Sequence, residues 1–341
     1  MSPVIMECHK QGLDYFILHS GQHYSYELDR VFFTELGLPE AKYPLDVGSG
    51  SQGEQTGKIM AGAERILVSE RPDIVLVEGD TNTVLAAALA AAKLHIKVGH
   101  IEAGLRSGDR SMPEEINRCL TDHISDYLFA PTEKSRQNLL AEGIAADKIF
   151  VTGNTIVDAI YRGLDILYGK SDILSKLNLK RKEYFVVTAH REENVDVKPR
   201  LEGILGGLDL IYDKYHLPII FPIHPRTRKR LAEFKLETPR GVELITPPGF
   251  LEFLQLEENA KLILTDSGGV QEEACILNVP CVTLRDNTER PETIEIGSNI
   301  LAGTSPSKIV ECLEIMLGRE NDWQNPFGDG NAGRRIVEVI S

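Results

Sequence analysis

Short apolar runs recur along the chain, each stopping at a polar turn, often glycine-bearing, that opens into residues with helical spacing. In the first half, residues 13–18, 73–78, 97–101, 127–130 and 149–152 read as strands. Helices are expected over 2–10, 26–36, 54–70 and 84–92, from Pro113 onward, and over 133–142 and 155–168. In the second half, strands are expected at 184–188, 217–223, 242–245, 262–265 and 280–284. Helical spacing there covers 250–256 and 270–277, and a last helix follows Gly330. Strands alternating with helices imply parallel sheets with right-handed crossovers. A polar stretch, 169–182, separates the two sets and reads as a linker. The fold class is therefore α/β, with two Rossmann-like doubly wound domains facing across a cleft. They span 1–168 and 183–320, followed by a terminal segment, 321–341. A (β/α)8 barrel shows the same alternation, but the number of strands and the polar break at mid-chain favour two domains.

Composition narrows the class. The 341 residues are 42% hydrophobic, enough for two sizeable cores. A net charge of −14 disfavours a nucleic-acid or anionic-membrane surface, so a bound phosphate must be met by a local basic pocket. Five cysteines without a CxxC pair fit reduced thiols in a cytoplasmic protein better than a disulfide framework. No apolar run is long enough to span a membrane, and no histidine has a partner at a metal-site spacing. No GxGxxG fingerprint calls for a dinucleotide, so neither cofactor nor metal is expected.

The densest chemistry lies at 262–292. The expected strand 262–265 stops at Asp266-Ser267-Gly268-Gly269, where a helix begins. Free N–H groups at a helix start, with no Cβ in the way, can hold a phosphate, and Ser267 adds a hydroxyl. Glu272 and Glu273 suit the first turn, and either can accept from ribose hydroxyls. A tight turn with no ligand explains the glycines equally. His190 follows the expected strand 184–188, and His224 opens the basic run 224–230. Either His224 or Arg226 can face a diphosphate, or the run is a solvated helix face. Phe253 suits a base-stacking platform or plain core.

The first half gathers carboxylates. Asp80 and Glu102 follow successive strands, and Glu114 sits in the first turn of a helix opened by Pro113. Each alone reads as a helix cap. Together, with Arg106 and Arg118 close by, they read as an acid–base site. The turn 20–24 and the loop 48–53 suit either a ligand or plain connection.

Seven strings carry a resemblance: VEGDTNTVLA, GHIEAGLRSGDR, MPEEINR, TAHREEN, TDSGGVQEEA, RDNTERPE and NPFGDG. Together they resemble, in order, segments of the non-hydrolysing UDP-N-acetylglucosamine 2-epimerases. The resemblance implies a GT-B-type fold, shared with many sugar-nucleotide glycosyltransferases, whose last helix crosses back to the first domain. It implies interconversion of UDP-N-acetylglucosamine and UDP-N-acetylmannosamine, by elimination of UDP to a 2-acetamidoglucal and re-addition. The catalytic set becomes Asp80, Glu102, Glu114 and His190, with Arg118 near. Ser267, Gly268, Gly269 and Arg290 would hold the diphosphate, Glu273 the ribose, Phe253 the uracil side and His224 the phosphate region. A homodimer is implied, and Gln22, His23 and Gln52 are candidates for a second, activating substrate site. In that family a strand and a G-T-R-P-E-type loop precede a segment like Met1-Ser2-Pro3, so the chain is expected to start downstream of both. A UDP-sugar glycosyltransferase and a hydrolysing epimerase are the alternatives, and a sensor without turnover fits poorly with three carboxylates beside an anionic ligand.

Overall fold

The computed structural model describes residues 1–22, 33–167 and 173–341. Most of the helix expected over 26–36 lies outside the described residues, as do His23, Tyr24 and residues 168–172. The chain divides into two compact units, Met1–Ala159 with Phe327–Ser341, and Ile160–Pro326. The division falls inside the Thr155–Leu167 helix rather than after residue 168. The expected linker also carries structure, because a short helix, Ile173–Lys176, buries Ile173 in the core of the second unit.

The first unit is built on four parallel strands in sequential order: β3 (Ile74–Glu78), β4 (Lys97–Ile101), β5 (Tyr127–Ala130) and β6 (Ile149–Val151). A separate parallel pair joins β1 (Leu18–His19) to β2 (Tyr43–Pro44). The strand expected over 13–18 is thus reduced to its end. Its predecessors pair with no ladder, and apolar alternation alone does not make a strand without a neighbour to bond. The Gln52–Glu70 and Asn82–Lys93 helices cover one side of the four-stranded sheet, meeting Val77 and Val98. The Ser2–Gln11 and Ala332–Ile340 helices meet Ile101 and Phe129 in another cluster. The terminal helix therefore returns to the first unit. Asp158 fixes its start by accepting from the backbone N–H groups of Ala332 and Gly333, at 3.1 and 3.0 Å.

The second unit carries a six-stranded parallel sheet in the order β12-β11-β10-β7-β8-β9. Its strands are β7 (Phe185–Thr188), β8 (Ile219–Pro222), β9 (Val242–Ile245), β10 (Leu262–Thr265), β11 (Cys281–Thr283) and β12 (Asn299–Leu301). Helices cover both faces, so successive strand residues alternate between two cores. Phe185 and Val187 pack on one face with Leu262 and Leu264, and Val186 and Ile263 pack on the other. That double burial is why these strands read as unbroken apolar runs. No helix of the described residues is long and apolar enough to cross a membrane.

Candidate active site

In the second unit, β8 and β9 lead away from β7 in one direction and β11 and β12 lead away from β10 in the other. The order of travel across the sheet reverses between β7 and β10, and ligands of open α/β sheets bind outside the carboxyl ends at such a point. Thr188 and Thr265 end these two strands with hydroxyls 2.6 Å apart. Beyond them Asp266, fully buried, accepts from the backbone N–H groups of His190 and Arg191 at 3.0 Å and from Asn194 Nδ2 at 3.1 Å. Burial opposes its charge, but the hydrogen bonds from His190, Arg191 and Asn194 outweigh burial, and its pKa is lowered. Asp266 also stands 3.2 Å from Nδ1 of His190. An ionised carboxylate only accepts, so that nitrogen carries a hydrogen and Nε2 is left for chemistry. Nothing in the sequence singles out Asp266 as the anchor that sets His190.

His224, at the end of β8, caps the Pro225–Phe234 helix by accepting from the Arg226 N–H at 3.2 Å. Its ring centre lies 5.7 Å from that of His190, so the structure brings these two predicted residues together. Arg226 turns to carboxylates of its own unit instead. Its guanidinium is held by Asp196 (2.6 Å) and Glu192 (2.5 Å), which neutralise it.

Ser267 is the N-cap of the Gly268–Ile276 helix, with its hydroxyl accepting from Val270 N–H at 3.5 Å. Gly268 has a steric reason to be glycine, since a Cβ there would sit 2.7 Å from Glu289 Oε1. Gly269 is the next residue of the same helical turn. Around this turn runs a buried ionic cluster with little trace in the sequence. Arg285, fully buried, reaches Glu289 (2.7 Å) and Glu193 (2.8 Å), and Arg191 reaches Glu289 at 3.1 Å. Burial would raise the Glu289 carboxyl, but Arg290, Arg285 and Arg191 outweigh it and lower it to about 2. Arg290 stands 2.6 Å from buried Glu272, which leaves Glu273 as the half-buried carboxylate on this helix. Phe253 packs half-buried against the same core.

In the first unit, Asp80 follows β3 through Gly79, and its carboxylate accepts from Arg118 Nη2 at 2.7 Å. It caps nothing, because Thr81 is the N-cap position of the next helix. Arg118 is 2% exposed and is held from behind by Glu115 at 3.0 Å. Glu102 follows β4 in the left-handed region (φ 69), a strained setting for a residue with a Cβ that concentrates at functional sites. The two turns touch: Gly79 N–H donates to the Ile101 carbonyl at 3.2 Å, and a Cβ on Gly79 would lie 3.7 Å from Glu102 Oε2. Glu114 stands half-buried in the first turn of the Pro113–Ile124 helix, one residue before the Glu115 that holds Arg118. Arg106 departs from expectation. It turns to Asp122 and Glu142, each at 2.7 Å, because those carboxylates lie beneath its loop. Gln22 and Gln52 reach the Asp80 turn, bonding Thr83 Oγ1 and Asn82 Nδ2 at 2.6 Å each. His23 lies outside the described residues.

Comparison with known proteins places the chain in a family. A family model described as UDP-N-acetylglucosamine 2-epimerase matches residues 6–341. The chain is 56% identical to the UDP-N-acetylglucosamine 2-epimerase of Methanocaldococcus jannaschii, across all of this chain and 95% of that protein. A crystal structure of the M. jannaschii UDP-GlcNAc 2-epimerase in complex with UDP-GlcNAc and UDP matches with a TM-score of 0.95, over 99% of this chain and 95% of that one. The UDP-GlcNAc 2-epimerase of Neisseria meningitidis, bound to UDP-GlcNAc, is 35% identical, with a TM-score of 0.91 over all of this chain and 95% of that one. With a family model matching residues 6–341 and relatives matching along the whole chain, this chain belongs to the UDP-N-acetylglucosamine 2-epimerase family.

Proposed function

We propose that this protein interconverts UDP-N-acetylglucosamine and UDP-N-acetylmannosamine without releasing free sugar. A base removes the C2 proton as the C1–O bond breaks, UDP departs, and 2-acetamidoglucal remains. UDP then adds back at C1 while an acid delivers a proton to the opposite face of C2. The C2 hydrogen is weakly acidic, so base and leaving-group stabilisation must act together. Acid–base groups contribute about 10²- to 10⁴-fold each. Asp80, Glu102 and Glu114 supply the base and the acid, Arg118 orients Asp80, and His190 serves the departing phosphate.

The observation that carries this reading is the Asp80–Arg118 pair beside the strained Glu102 turn, two carboxylates held at the carboxyl ends of neighbouring strands. In the second unit, Ser267, Gly268, Gly269, His224 and Arg290 are assigned to the diphosphate, Glu273 to the ribose and Phe253 to the uracil side. The free N–H groups at the Gly268 helix start supply donors for developing charge on the leaving UDP. No cofactor or metal enters these steps. The working form is read as a homodimer in the cytoplasm, which light scattering and cell fractionation test.

The deciding experiment is proton NMR of UDP-N-acetylglucosamine with the protein in D2O. Loss of the C2 proton signal with appearance of UDP-N-acetylmannosamine is expected. Free N-acetylmannosamine with UDP would move the assignment to the hydrolysing class. No exchange, with UDP released only when an acceptor is added, would bring forward the glycosyltransferase.

A further inference from the structure

Behind the Asp80 turn lies a histidine that the proposed chemistry does not use. His100 is in β4, with its side chain and that of Asp122 both at 0% exposure. Its neighbours across the sheet, Val77 and Leu128, are apolar. Nδ1 lies 2.6 Å from Asp122 Oδ1 and Nε2 lies 2.9 Å from the carbonyl oxygen of Gly79. A carbonyl oxygen only accepts, so Nε2 carries a hydrogen. Asp122 in turn receives the Gly104 N–H at 3.2 Å and Arg106 at 2.7 Å on Oδ2, the setting of an ionised carboxylate. It too can only accept from the ring. Both ring nitrogens therefore donate, and an imidazolium is the form of histidine that has two donors.

We infer that His100 is a buried imidazolium and the positioning residue of the acid–base site, fixing the Gly79-Asp80 turn through the Gly79 carbonyl and placing a positive charge behind Glu102. The charged groups around it are Asp122 from the Pro113–Ile124 helix, Glu102 two residues on, Arg106 from the following loop, and Glu142, which shares Arg106. Cys119, on the same helix as Asp122, faces Arg106. The sum over these groups favours the cation. Burial alone would strip the proton, but Asp122, the Gly79 carbonyl and Glu102 outweigh burial and raise the pKa. A group raised in this way stabilises the fold fully below its unfolded pKa of about 6.5 and stops doing so as pH rises through the folded value. The turn should therefore loosen on the alkaline side.

The test needs two measurements. Nitrogen-15 NMR of the histidine-labelled wild-type protein at neutral pH should show a ring with both nitrogens protonated, a signal that is absent from His100→Gln. A neutral ring there would overturn the inference, whether or not the protein proves to be an epimerase. In the second, Gln keeps a donor toward Gly79 but loses the charge and the bond to Asp122. If the variant folds, kcat for C2 exchange should fall about 10²-fold, the scale of a misplaced catalytic group, with KM changed less than threefold. The part of the wild-type alkaline limb that comes from His100 losing its proton should be absent from the variant, because a carboxamide does not titrate. An unchanged kcat and pH profile in a folded variant would overturn the inference. Should His100→Gln fail to fold, the wild-type spectrum decides alone. The inference rests on the epimerase reading only for this kinetic arm, and absence of exchange in the wild type would count against that reading instead.

Discussion

Glu257 is fully buried on the Phe250–Asn259 helix, and no arginine, lysine or amide group among the described residues donates to its carboxyl oxygens. Its neighbour is Glu273, across the packed helices, and two carboxyl groups at hydrogen-bond range share a proton rather than both ionise. Burial first, then Glu273, raises the Glu257 pKa well above its ordinary value, and burial raises that of Glu273 as well. The pair therefore stabilises the fold at low pH and does so less as pH rises through the folded values. Glu257→Gln, which keeps a donor without a titrating proton, is expected to raise the thermal midpoint at pH 8 by about 2–4 °C. It should change little at pH 4, and calorimetry at both pH values checks this. Asp80→Asn, by contrast, should lower C2 exchange by about 10²- to 10⁴-fold and leave UDP affinity within twofold. NMR exchange and titration calorimetry separate the two effects. Asp80 and Glu102 are legible in the sequence because each follows a strand. His100 and Asp266 are not, because their roles depend on partners 22 and 76 residues away.

Among the elements, the Gly268–Ile276 helix shows how one turn serves packing and site together. A Cβ at Gly268 would drive into Glu289, which Arg285 and Arg191 hold rigidly. Gly268→Ala is therefore expected to lower both the thermal midpoint and UDP affinity, the latter by about tenfold, or about 1.4 kcal/mol. Ser267→Ala removes the cap, costing about 1 kcal/mol, together with the hydroxyl assigned to the diphosphate, and it adds no clash with Glu289. Thermal melts and UDP titration of both variants check these outcomes, with the larger loss of stability expected for Gly268→Ala because only it forces Glu289 to move. Strand β12 had no strand expectation, since Asn299–Leu301 is only three residues long, opens on a polar one and is paired only by β11. The expected strand at 13–18 fails for the converse reason, having the pattern but no partner along most of its length.

At the scale of the whole molecule, each unit brings its chemistry to the carboxyl ends of its own parallel strands. The chain's last segment belongs to the first unit, where Gly333 lies against Pro3 so closely that a Cβ would be 2.9 Å from the Pro3 backbone. Asp158→Ala would leave the start of the terminal helix without its acceptor, and a lost N-cap costs about 1 kcal/mol. A fall of about 2–4 °C in the melting of the first unit is expected, with no change in UDP affinity.

What the sequence determined by itself was local. Alternating apolar runs and helical spacing specify parallel α/β units, and a strand ending in Asp, Glu or Ser-Gly-Gly specifies where polar chemistry gathers. Those signals reside within a few consecutive residues, so they survive without a fold. Tertiary structure alone decided which charges are already spoken for: Arg106 by Asp122 and Glu142, Arg226 by Asp196 and Glu192, and Arg285 by Glu289 and Glu193. It also decided which proton a buried His100 must keep. Charge pairing and desolvation act through space between distant segments, and no spacing along the chain encodes them.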